Sequence, residues 1–483
     1  MFRARRLRLA ALAVAALVAS CATFPENALK PNTGPEKDYR YDALAAVTDN
    51  ASNDPETLVL VAFSGGGVRA SALAFGVLEQ LRKTEVTIDG KRKRLLDEID
   101  VISSNSGGSY TAAYYGLFRD RMFSDSPEAE YRFENAFLKA DFEGQILHAM
   151  YNPENLLHLL SPYYNRTDLA AATLGKSVFH DKTFGDLYGN GRPFIILNTH
   201  DIVKGGRFQF TQDFFDGLCS DLSRFPVARA VMASSALHGL FGTVRVKNYT
   251  RAYCTPPEWI PNALEDLERN PSRFTSAKLI ERYYRKECWD GDQSCKLNEG
   301  DSYFAFQNDG GAVDNLGLRP LVWGLTSLDP DMSFMRQVNL GIVKRVLLIS
   351  VNAGGEPDSD LERSQSGPSA VNLIQSAVDS AIEQVSYDSL EFARTVFETR
   401  MKSKYPLAQY HRPVIVAFDR IKDRDMRHCF KNVGTRLTLP DGTIDQVSNI
   451  GRNLLWQSQA FQDFVKAYDG ASETPAAPVC TPP

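Results

Sequence analysis

One stretch of the chain, residues 99–116, constrains the fold more than any other. Its first four residues, Ile-Asp-Val-Ile, are mostly apolar and β-branched, which predicts a buried strand. Residues 110–115 are small and aromatic without a helix breaker, which predicts a helix. The sequence between them, Ser-Asn-Ser-Gly-Gly, fits the nucleophile elbow G-x-S-x-G, except that Ser104 replaces the first glycine. The pattern therefore predicts that Ser106 lies on a tight turn between a strand and a helix.

A glycine-rich turn occurs earlier in the chain, in a second strand-turn-helix pattern. Residues 57–63 form a continuous apolar run suited to a strand that is buried on both faces, and residues 70–81 have apolar side chains at helical spacing. The Ser-Gly-Gly-Gly-Val-Arg sequence between them would leave backbone N–H groups unpaired at a helix N-terminus, where an oxyanion can bind. It lacks the lysine of a phosphate-binding loop and the spacing of a dinucleotide-binding loop. The alternative is a plain tight turn.

The two successive strand-helix units predict an α/β fold with a parallel sheet and helices on its faces. The chain has 483 residues, of which 43% are hydrophobic, enough for one large domain with insertions or for two domains. Its net charge of −5 does not favour nucleic-acid binding, which usually requires a basic surface.

The N-terminus has the pattern of an export signal. Four arginines within the first eight residues precede an apolar run, residues 9–18, that is too short to span a bilayer. We interpret residues 1–20 as a signal peptide. Val18-Ala19-Ser20-Cys21 resembles the bacterial lipobox, so Cys21 is the predicted lipidation site, although an ordinary signal peptide with an incidental cysteine is the alternative. By resemblance to lipoprotein sorting signals, alanine rather than aspartate at position 22 favours transport of the protein to the outer membrane over retention in the inner membrane. Residues 21–56 are polar and predict a flexible tether.

The other cysteines form an even set, which in an exported chain predicts disulfides. Cys288 and Cys295 are close enough in sequence for a small loop and are the favoured pair. Zinc binding would normally use a C-x-x-C pair, which the chain lacks, and free buried thiols are a further alternative. The remaining members of the set are Cys219, Cys254, Cys429 and Cys480.

The rest of the chain fits one catalytic domain over residues 57–470. Two insertions interrupt it: residues 123–186 are helical, either a second layer of core or a lid, and residues 250–300 predict a surface excursion. Further strands are expected near residues 193–198, 206–210, 345–351 and 413–418, and a long amphipathic helix over 370–394. Residues 471–483 form a proline-rich tail that Cys480 can pin back.

Three motifs together resemble the patatin-like phospholipases: the sequence Ser64-Gly65-Gly66-Gly67-Val68-Arg69, the elbow at Ser106, and Asp309-Gly310-Gly311 about two hundred residues later. The Ser-Gly-Gly-Ser sequence of the elbow is similar to the cytosolic phospholipase A2 branch. Ala233-Ser234-Ser235-Ala236 is similar to the A-S-x-A turn of the family, although His238 stands where the family often has proline. The resemblance implies a three-layer α/β/α sandwich and covers roughly residues 58–318.

The resemblance also implies the chemistry. Ser106 would be the nucleophile and Asp309 its base, a dyad that forms an acyl-enzyme. Gly65, Gly66 and Gly67 would form the oxyanion hole, supported by Arg69. The elbow and base turns would be supported by Gly107, Gly108, Gly310 and Gly311. The expected substrate is a phospholipid or lysophospholipid, with no cofactor and no metal.

Several alternatives stay open at the level of sequence. Asp314 could replace Asp309 as the base, and His238 could complete a conventional triad. Asp358, Asp360 and Glu362 lack the spacing of a calcium loop and are interpreted as a solvated loop. A lipoprotein that binds lipid or protein without catalysis, while keeping the fold, is the alternative function.

Overall fold

A computed structural model describes residues 26–30, 38–41, 53–126, 128–236, 241–249, 259–265, 268, 271–281, 283, 303–326, 342–355, 369–401 and 408–481. Several sequence predictions therefore lie outside the described residues: the signal peptide, the lipidation site Cys21, the Cys288–Cys295 pair, the acidic residues 358–362 and His238. Among the helices that are described, none combines the length and the apolar character needed to cross a membrane.

The strands begin with β1 (Ala28–Leu29) and β2 (Thr57–Phe63), and β2 is buried along its whole length. A nine-stranded sheet runs through the described residues. The other strands are β3 (Thr84–Ile88), β4 (Lys91–Arg94), β5 (Ile99–Ser104), β6 (Phe194–Asp201), β7 (Gly206–Gln209), β8 (Ser220–Asp221), β9 (Val244–Asn248), β10 (Tyr303–Asp309), β11 (Arg345–Asn352), β12 (Gln409–Tyr410), β13 (Val414–Ala417) and β14 (Ala471–Ser472). The strand order in the nine-stranded sheet is β12-β11-β2-β5-β6-β10-β9, with β13 beside β11 and β7 beside β6.

The middle of this sheet is parallel, as predicted. Strands β11, β2, β5 and β6 run in the same direction, whereas β10 is antiparallel to both β6 and β9. Parallel strands need helical crossovers on the faces of the sheet, and these helices bury both faces. The glycine loop after β2 and the elbow after β5 therefore lie at the same edge of the sheet.

Helices cover both faces, which makes the three-layer α/β/α sandwich that was predicted. On one face, α1 (Gly67–Arg82) and α2 (Gly107–Phe118) pack against each other. Helix α12 (Leu318–Thr326) contacts strands β2 and β5 and is packed in turn by α13 (Ala370–Thr395). The further helices are α3 (Phe142–Met150), α4 (Pro153–Leu159), α5 (Arg166–Ser177), α6 (Phe184–Asn190), α7 (Gln212–Asp216), α8 (Val227–Ser234), α9 (Trp259–Leu264), α10 (Pro271–Glu281), α11 (Gly311–Asp314), α14 (Arg424–Lys431), α15 (Asp441–Gln457) and α16 (Gln459–Ala467).

The segment predicted as a flexible tether is packed against the domain wherever it is described. Strand β1 pairs with β8, and Tyr39 and Tyr41 are buried, only 4% and 2% exposed. The Tyr39 hydroxyl donates to the Ile195 carbonyl at 3.0 Å and accepts from the Ile195 N–H at 2.7 Å. The overall composition predicts a tether, but two aromatic side chains anchor this segment, so residues 26–30 and 38–41 belong to the folded domain.

Both predicted insertions contribute to the core. In the first, Phe133, Phe137, Phe142 and Leu174 are buried, which agrees with the core interpretation over much of its length. In the second, predicted as a surface excursion, the described helices α9 and α10 bury apolar side chains, which corrects that prediction for these helices. Each of them places one face on the core, and the buried residues are Ile260, Ala263, Ala277 and Ile280.

The described residues include a disulfide between Cys429 and Cys480. It confirms the expectation of disulfides and shows that Cys480 pins the tail to helix α14. Cys219 is disulfide-bonded as well.

Candidate active site

Ser106 lies between the end of β5 and the first residue of α2, as the elbow predicts. Its backbone has φ 44° and ψ −122°, a conformation that costs a non-glycine residue of order 1–3 kcal/mol. Between Ile99 and Phe118, Ser106 is the single residue that is not buried. The strained turn therefore presents one hydroxyl to solvent from an otherwise buried strand and helix.

The turn requires glycine after Ser106 because two backbones cross there. A Cβ on Gly107 would overlap the carbonyl oxygen of Gly67, and a Cβ on Gly108 would lie 2.6 Å from Cβ of Phe63. Ser104, the departure from the motif, is fully buried, and its hydroxyl donates to the Ile196 carbonyl and accepts from Ser109. A serine fits at this position because its side chain has hydrogen-bond partners inside the domain.

The glycine loop passes directly beside the elbow. A Cβ placed on Gly65 would lie 3.1 Å from Cβ of Ser106. Gly66 and Gly67 have φ of 137° and 61°, which side-chain-bearing residues rarely adopt. Among the described residues, no acceptor faces the N–H groups of Gly66, Gly67 or Gly107. These three donors at two helix N-termini form an anion site next to Ser106.

Gly65, which was predicted as a third donor of this loop, has its N–H already engaged. It donates to both the backbone oxygen of Asn315 at 3.1 Å and the side-chain Oδ1 of the same residue at 3.2 Å. Gly65 therefore holds the glycine loop against the segment that follows Asp309.

Arg69 supports the glycine loop from behind. Its guanidinium is 5% exposed, donates to the Val433 carbonyl, and reaches Thr435 Oγ1 at 3.2 Å. Burial lowers the pKa of Arg69 to about 10. The Val68 N–H donates to the carbonyl of Arg436, in the same loop as Val433 and Thr435, at 2.9 Å. The bonds of the Arg69 side chain therefore go to the loop over residues 433–436, which lies behind the glycine loop.

Asp309 is the last residue of β10 and is 7% exposed. Its Oδ1 accepts the Gly311 N–H at 2.8 Å, and its own N–H donates to the Ala236 carbonyl at 3.3 Å. A Cβ on Gly310 would overlap Oδ1 of Asn105, the neighbour of Ser106 in the chain. Gly310 thus allows the Asp309 turn to approach the elbow closely.

Ser234 joins these two turns, a role that sequence reasoning did not assign. Its hydroxyl accepts the Ser106 N–H at 3.0 Å and donates to the Asn198 carbonyl at 2.7 Å. Its carbonyl accepts the Gly310 N–H at 3.4 Å. One residue thus fixes the elbow and the Asp309 turn relative to each other. The A-S-x-A resemblance was the signal that could have identified it.

Asn105 makes a second connection between the same segments. Its side-chain nitrogen donates to the Asp314 carbonyl, while its backbone N–H donates to the Phe63 carbonyl at 3.1 Å. Together with Asn315 on Gly65, it ties the ends of β2, β5 and β10 into one unit. Neither asparagine carried a recognisable sequence signal for this role.

Asp314, the rival base, has a different environment. Its Oδ2 accepts the Arg319 N–H at 2.9 Å, near the start of helix α12. Burial raises the pKa of Asp314, and the charge of Arg207 opposes that shift. Arg207 stacks in turn on the Trp323 ring at 3.9 Å. Asp314 is thus engaged in a buried structural network, which leaves Asp309 as the stronger candidate.

No group of three or more histidine, cysteine, aspartate or glutamate side chains in the described part of the chain is placed to hold a metal ion.

The comparisons with known proteins identify the family. The family model for patatin-like phospholipases matches residues 61–322, more than half of the chain. The chain belongs to the patatin-like phospholipase family. The matched range contains Ser106 and Asp309.

The solved structures that the chain matches are distant from it. Human GIVD cytosolic phospholipase A2 is 12% identical with a TM-score of 0.38, and the match covers 89% of this chain and 65% of that one. VipD from Legionella pneumophila is 13% identical with a TM-score of 0.24, over 90% and 72% of the two chains. The chain thus spans less than two thirds of the length of the human enzyme. No curated protein matches significantly.

Proposed function

We propose that the protein is a serine lipid acyl hydrolase of the phospholipase A or lysophospholipase type. The observation that carries the proposal is Ser106 itself: a strained, solvent-facing serine with three unpaired backbone donors beside it. Acyl transfer needs a nucleophile and donors at the position where negative charge develops.

In the proposed mechanism, the Asp309 carboxylate takes the proton of Ser106 as the hydroxyl attacks the ester carbonyl. The N–H groups of Gly66, Gly67 and Gly107 stabilise the oxyanion. The intermediate collapses to an acyl-Ser106 ester, and the departing alcohol takes the proton from Asp309. Water then attacks the acyl group while Asp309 accepts its proton. The bond between the acyl carbon and the Ser106 oxygen breaks, that oxygen takes the proton back from Asp309, and the fatty acid leaves. Gly65, Arg69, Gly108, Gly310 and Gly311 position this machinery.

Asp309 is suited to this role because it is almost completely buried. A carboxylate in water is a weak base, whereas burial disfavours the charged form and makes the carboxylate a better proton acceptor. The negative charge of Asp309 also acts on a neighbouring side chain. Burial and, to a smaller extent, this charge raise the pKa of Tyr110 to about 12.

We also propose that Cys21 carries a lipid, which would attach the domain to the bacterial cell envelope, at the outer membrane. The proposal rests on the lipobox-like sequence and Ala22. Labelling with a radioactive fatty acid tests it: the native chain should incorporate label and Cys21→Ser should not.

Kinetic assays of the full chain test the catalytic proposal. The substrates are a water-soluble p-nitrophenyl ester, phosphatidylcholine and lysophosphatidylcholine. We expect Ser106→Ala and Asp309→Asn to lower kcat at least about 1,000-fold with an unchanged circular dichroism spectrum. The matched control is Asp314→Asn, assayed where it remains folded, which should keep most of its kcat per folded molecule. A native chain that is folded but hydrolyses none of these esters would support the non-catalytic lipid- or protein-binding alternative.

A further inference from the structure

An apolar hairpin projects from the domain beside the candidate site. We define the apolar hairpin as residues 142–163, which contain α3, α4 and the turn after α4. No residue of α4 is buried, although three of its seven residues are leucines. Five large apolar side chains of the whole hairpin are exposed, by 54% for Leu147, 82% for Tyr151, 54% for Leu156, 63% for Leu160 and 52% for Tyr163.

The apolar hairpin is firmly attached at its base. Phe142 and Ile146 are buried in the core, and Phe142 contacts Phe137 with 6.2 Å between ring centroids. Phe137 stacks on Tyr110 at 4.2 Å, and the Tyr110 hydroxyl lies 3.1 Å from that of Ser235. The hairpin is therefore connected through two aromatic rings to the turn that positions Ser106.

The other end of the hairpin is fixed to the domain as well. The Arg245 guanidinium donates to the Pro162 carbonyl at 2.7 Å. Just after the hairpin, the Asn165 side chain donates to the Thr243 carbonyl at 3.0 Å, and the Thr167 hydroxyl donates to the Gly242 carbonyl at 2.7 Å. Both ends of the hairpin are thus fixed, so its exposed face has a defined position on the domain.

We propose that the apolar hairpin inserts into the surface of a phospholipid layer and places the site against it. The inference rests on the proposed function in that a lipid acyl hydrolase finds its substrate in such a layer. Five large apolar side chains that are each more than half exposed within 17 residues favour an interaction surface over scattered surface residues. Tyrosine at the edge of such a face is typical of a membrane interface, where the ring is apolar and the hydroxyl is hydrated.

The charges of the apolar hairpin specify which lipid surface is expected. Residues 142–163 contain two glutamates and no lysine or arginine. Attraction to anionic lipid therefore contributes little, and the apolar contact supplies the binding. The proposal commits to a zwitterionic phosphatidylcholine surface, with binding that is insensitive to salt.

The basic strand β4 is a poorer candidate for contact with lipid head groups. Three of its four cations are engaged by carboxylates of the same domain: Arg92 with Glu85 at 2.6 Å, Lys93 with Glu98 at 3.2 Å, and Arg94 with Asp97 at 2.6 Å.

Vesicle binding tests the proposal with a matched pair of exposed leucine substitutions. The full chain carries Cys21→Ser throughout, so that a lipid anchor adds no binding, and the vesicles are dialkyl ether phosphatidylcholine, which cannot be hydrolysed. The test variant is Leu156→Glu/Leu160→Glu. The control is Leu373→Glu on α13, where the leucine is 57% exposed. We expect the test variant to lose at least about tenfold in vesicle partitioning, because two buried leucines contribute more than that. The control should stay within about twofold of its parent.

The readouts separate this inference from the proposed function. All three chains should hydrolyse the water-soluble ester equally, since the leucines lie outside the catalytic machinery. If none hydrolyses it while partitioning still depends on Leu156 and Leu160, the catalytic proposal fails and the lipid-surface inference stands. Equal partitioning of the test variant and its parent, or no partitioning of the parent, overturns the inference. So does sedimentation that shows a parent dimer which the test variant abolishes, because a second copy would then cover the face.

Discussion

At the scale of single residues, the elbow depends on the hydroxyl of Ser234, which accepts the Ser106 N–H. We expect Ser234→Ala to lower kcat for the water-soluble ester about 5- to 30-fold with KM little changed. The reason is that the lost hydrogen bond, about 1–2 kcal/mol, holds the nucleophile in place and contributes no contact to substrate.

Ser235→Ala is the matched control, because the Ser235 hydroxyl bonds to Tyr110 and to the Val231 carbonyl. It should retain most of the activity. If the two variants have the same kcat as the native chain, Ser234 does not position Ser106.

Ser104 and Gly108 occupy the two small-residue positions of the elbow but tolerate change differently. Ser104→Gly restores the standard motif and removes two hydrogen bonds, so we expect unchanged activity and about 1 kcal/mol less stability. Gly108→Ala places a methyl group 2.6 Å from Cβ of Phe63 and 2.7 Å from the Ser64 carbonyl oxygen, so we expect loss of activity and lower stability. Urea unfolding and ester hydrolysis measure both. An active, equally stable Gly108→Ala protein would show that the close approach is wrong.

At the scale of elements, the Cys429–Cys480 disulfide constrains helix α14, and the loop after α14 carries the partners of Arg69 and Val68. The bond closes a sequence separation of 51 residues. We expect Cys429→Ser/Cys480→Ser to lower the free energy of unfolding by about 2–4 kcal/mol, because the unfolded chain becomes less constrained.

The measurement is urea unfolding under non-reducing conditions, followed both by fluorescence and by ester hydrolysis. Activity should be lost at or before the fluorescence transition, because the loop over residues 433–436 backs the glycine loop. A double variant with the native urea midpoint would contradict the assignment of a stabilising role to this disulfide.

The sequence predicts the elements whose signals are local. The continuous apolar runs at β2 and β11, the strand-turn-helix at Ser106 and the amphipathic helix α13 are all found at or within a few residues of their expected positions. Parallel strands place their carboxyl ends at one edge of the sheet, which explains why the glycine loop after β2 and the elbow after β5 meet. Strand β10 is antiparallel, and its end reaches the elbow because Asp309 pairs with Thr199, two residues beyond the partner of Ser104 on β6.

Helix α15 was not predicted, for a physical reason. Its sequence contains glycine and asparagine, which weaken a helical signal. Gly451 is needed where α15 packs on α1, because a Cβ there would lie 2.6 Å from the Leu73 carbonyl oxygen. In the same contact, a Cβ on Gly76 of α1 would overlap the Ser448 carbonyl oxygen of α15. The contacts of Arg69 could not be predicted from local sequence either, because its partners lie more than 360 positions away in the chain.

At the scale of the whole molecule, His411 links the sheet to the C-terminal helices. Its Nε2 lies 2.8 Å from the Tyr468 hydroxyl, and its ring packs edge-on against Phe464. Burial, and then the charge of Arg345, lower the pKa of His411 to about 4 from its usual 6.5. The folded state therefore holds His411 neutral where the unfolded chain binds a proton. Its contribution to stability is complete above pH 6.5 and is lost as the pH falls from 6.5 to 4.

Because His411 is partly exposed to solvent, screening reduces the effect, and we expect the native chain to lose roughly 1 kcal/mol more stability than His411→Gln between pH 7.5 and pH 5. Urea unfolding of both proteins at each pH measures the difference, and other titrating groups cancel in the comparison. Parallel stability curves for the two proteins over this range would show that His411 does not titrate as its surroundings imply.

The central claim is that Ser106 is the nucleophile of a lipid acyl hydrolase. The most direct measurement is to treat the folded full chain with a fluorophosphonate and to locate the adduct by peptide mass spectrometry. The account predicts a single adduct on Ser106, absent from Ser106→Ala and strongly slowed in Asp309→Asn, because the proposed base activates the hydroxyl. A folded chain that takes no adduct, or takes it on another serine, would contradict the claim.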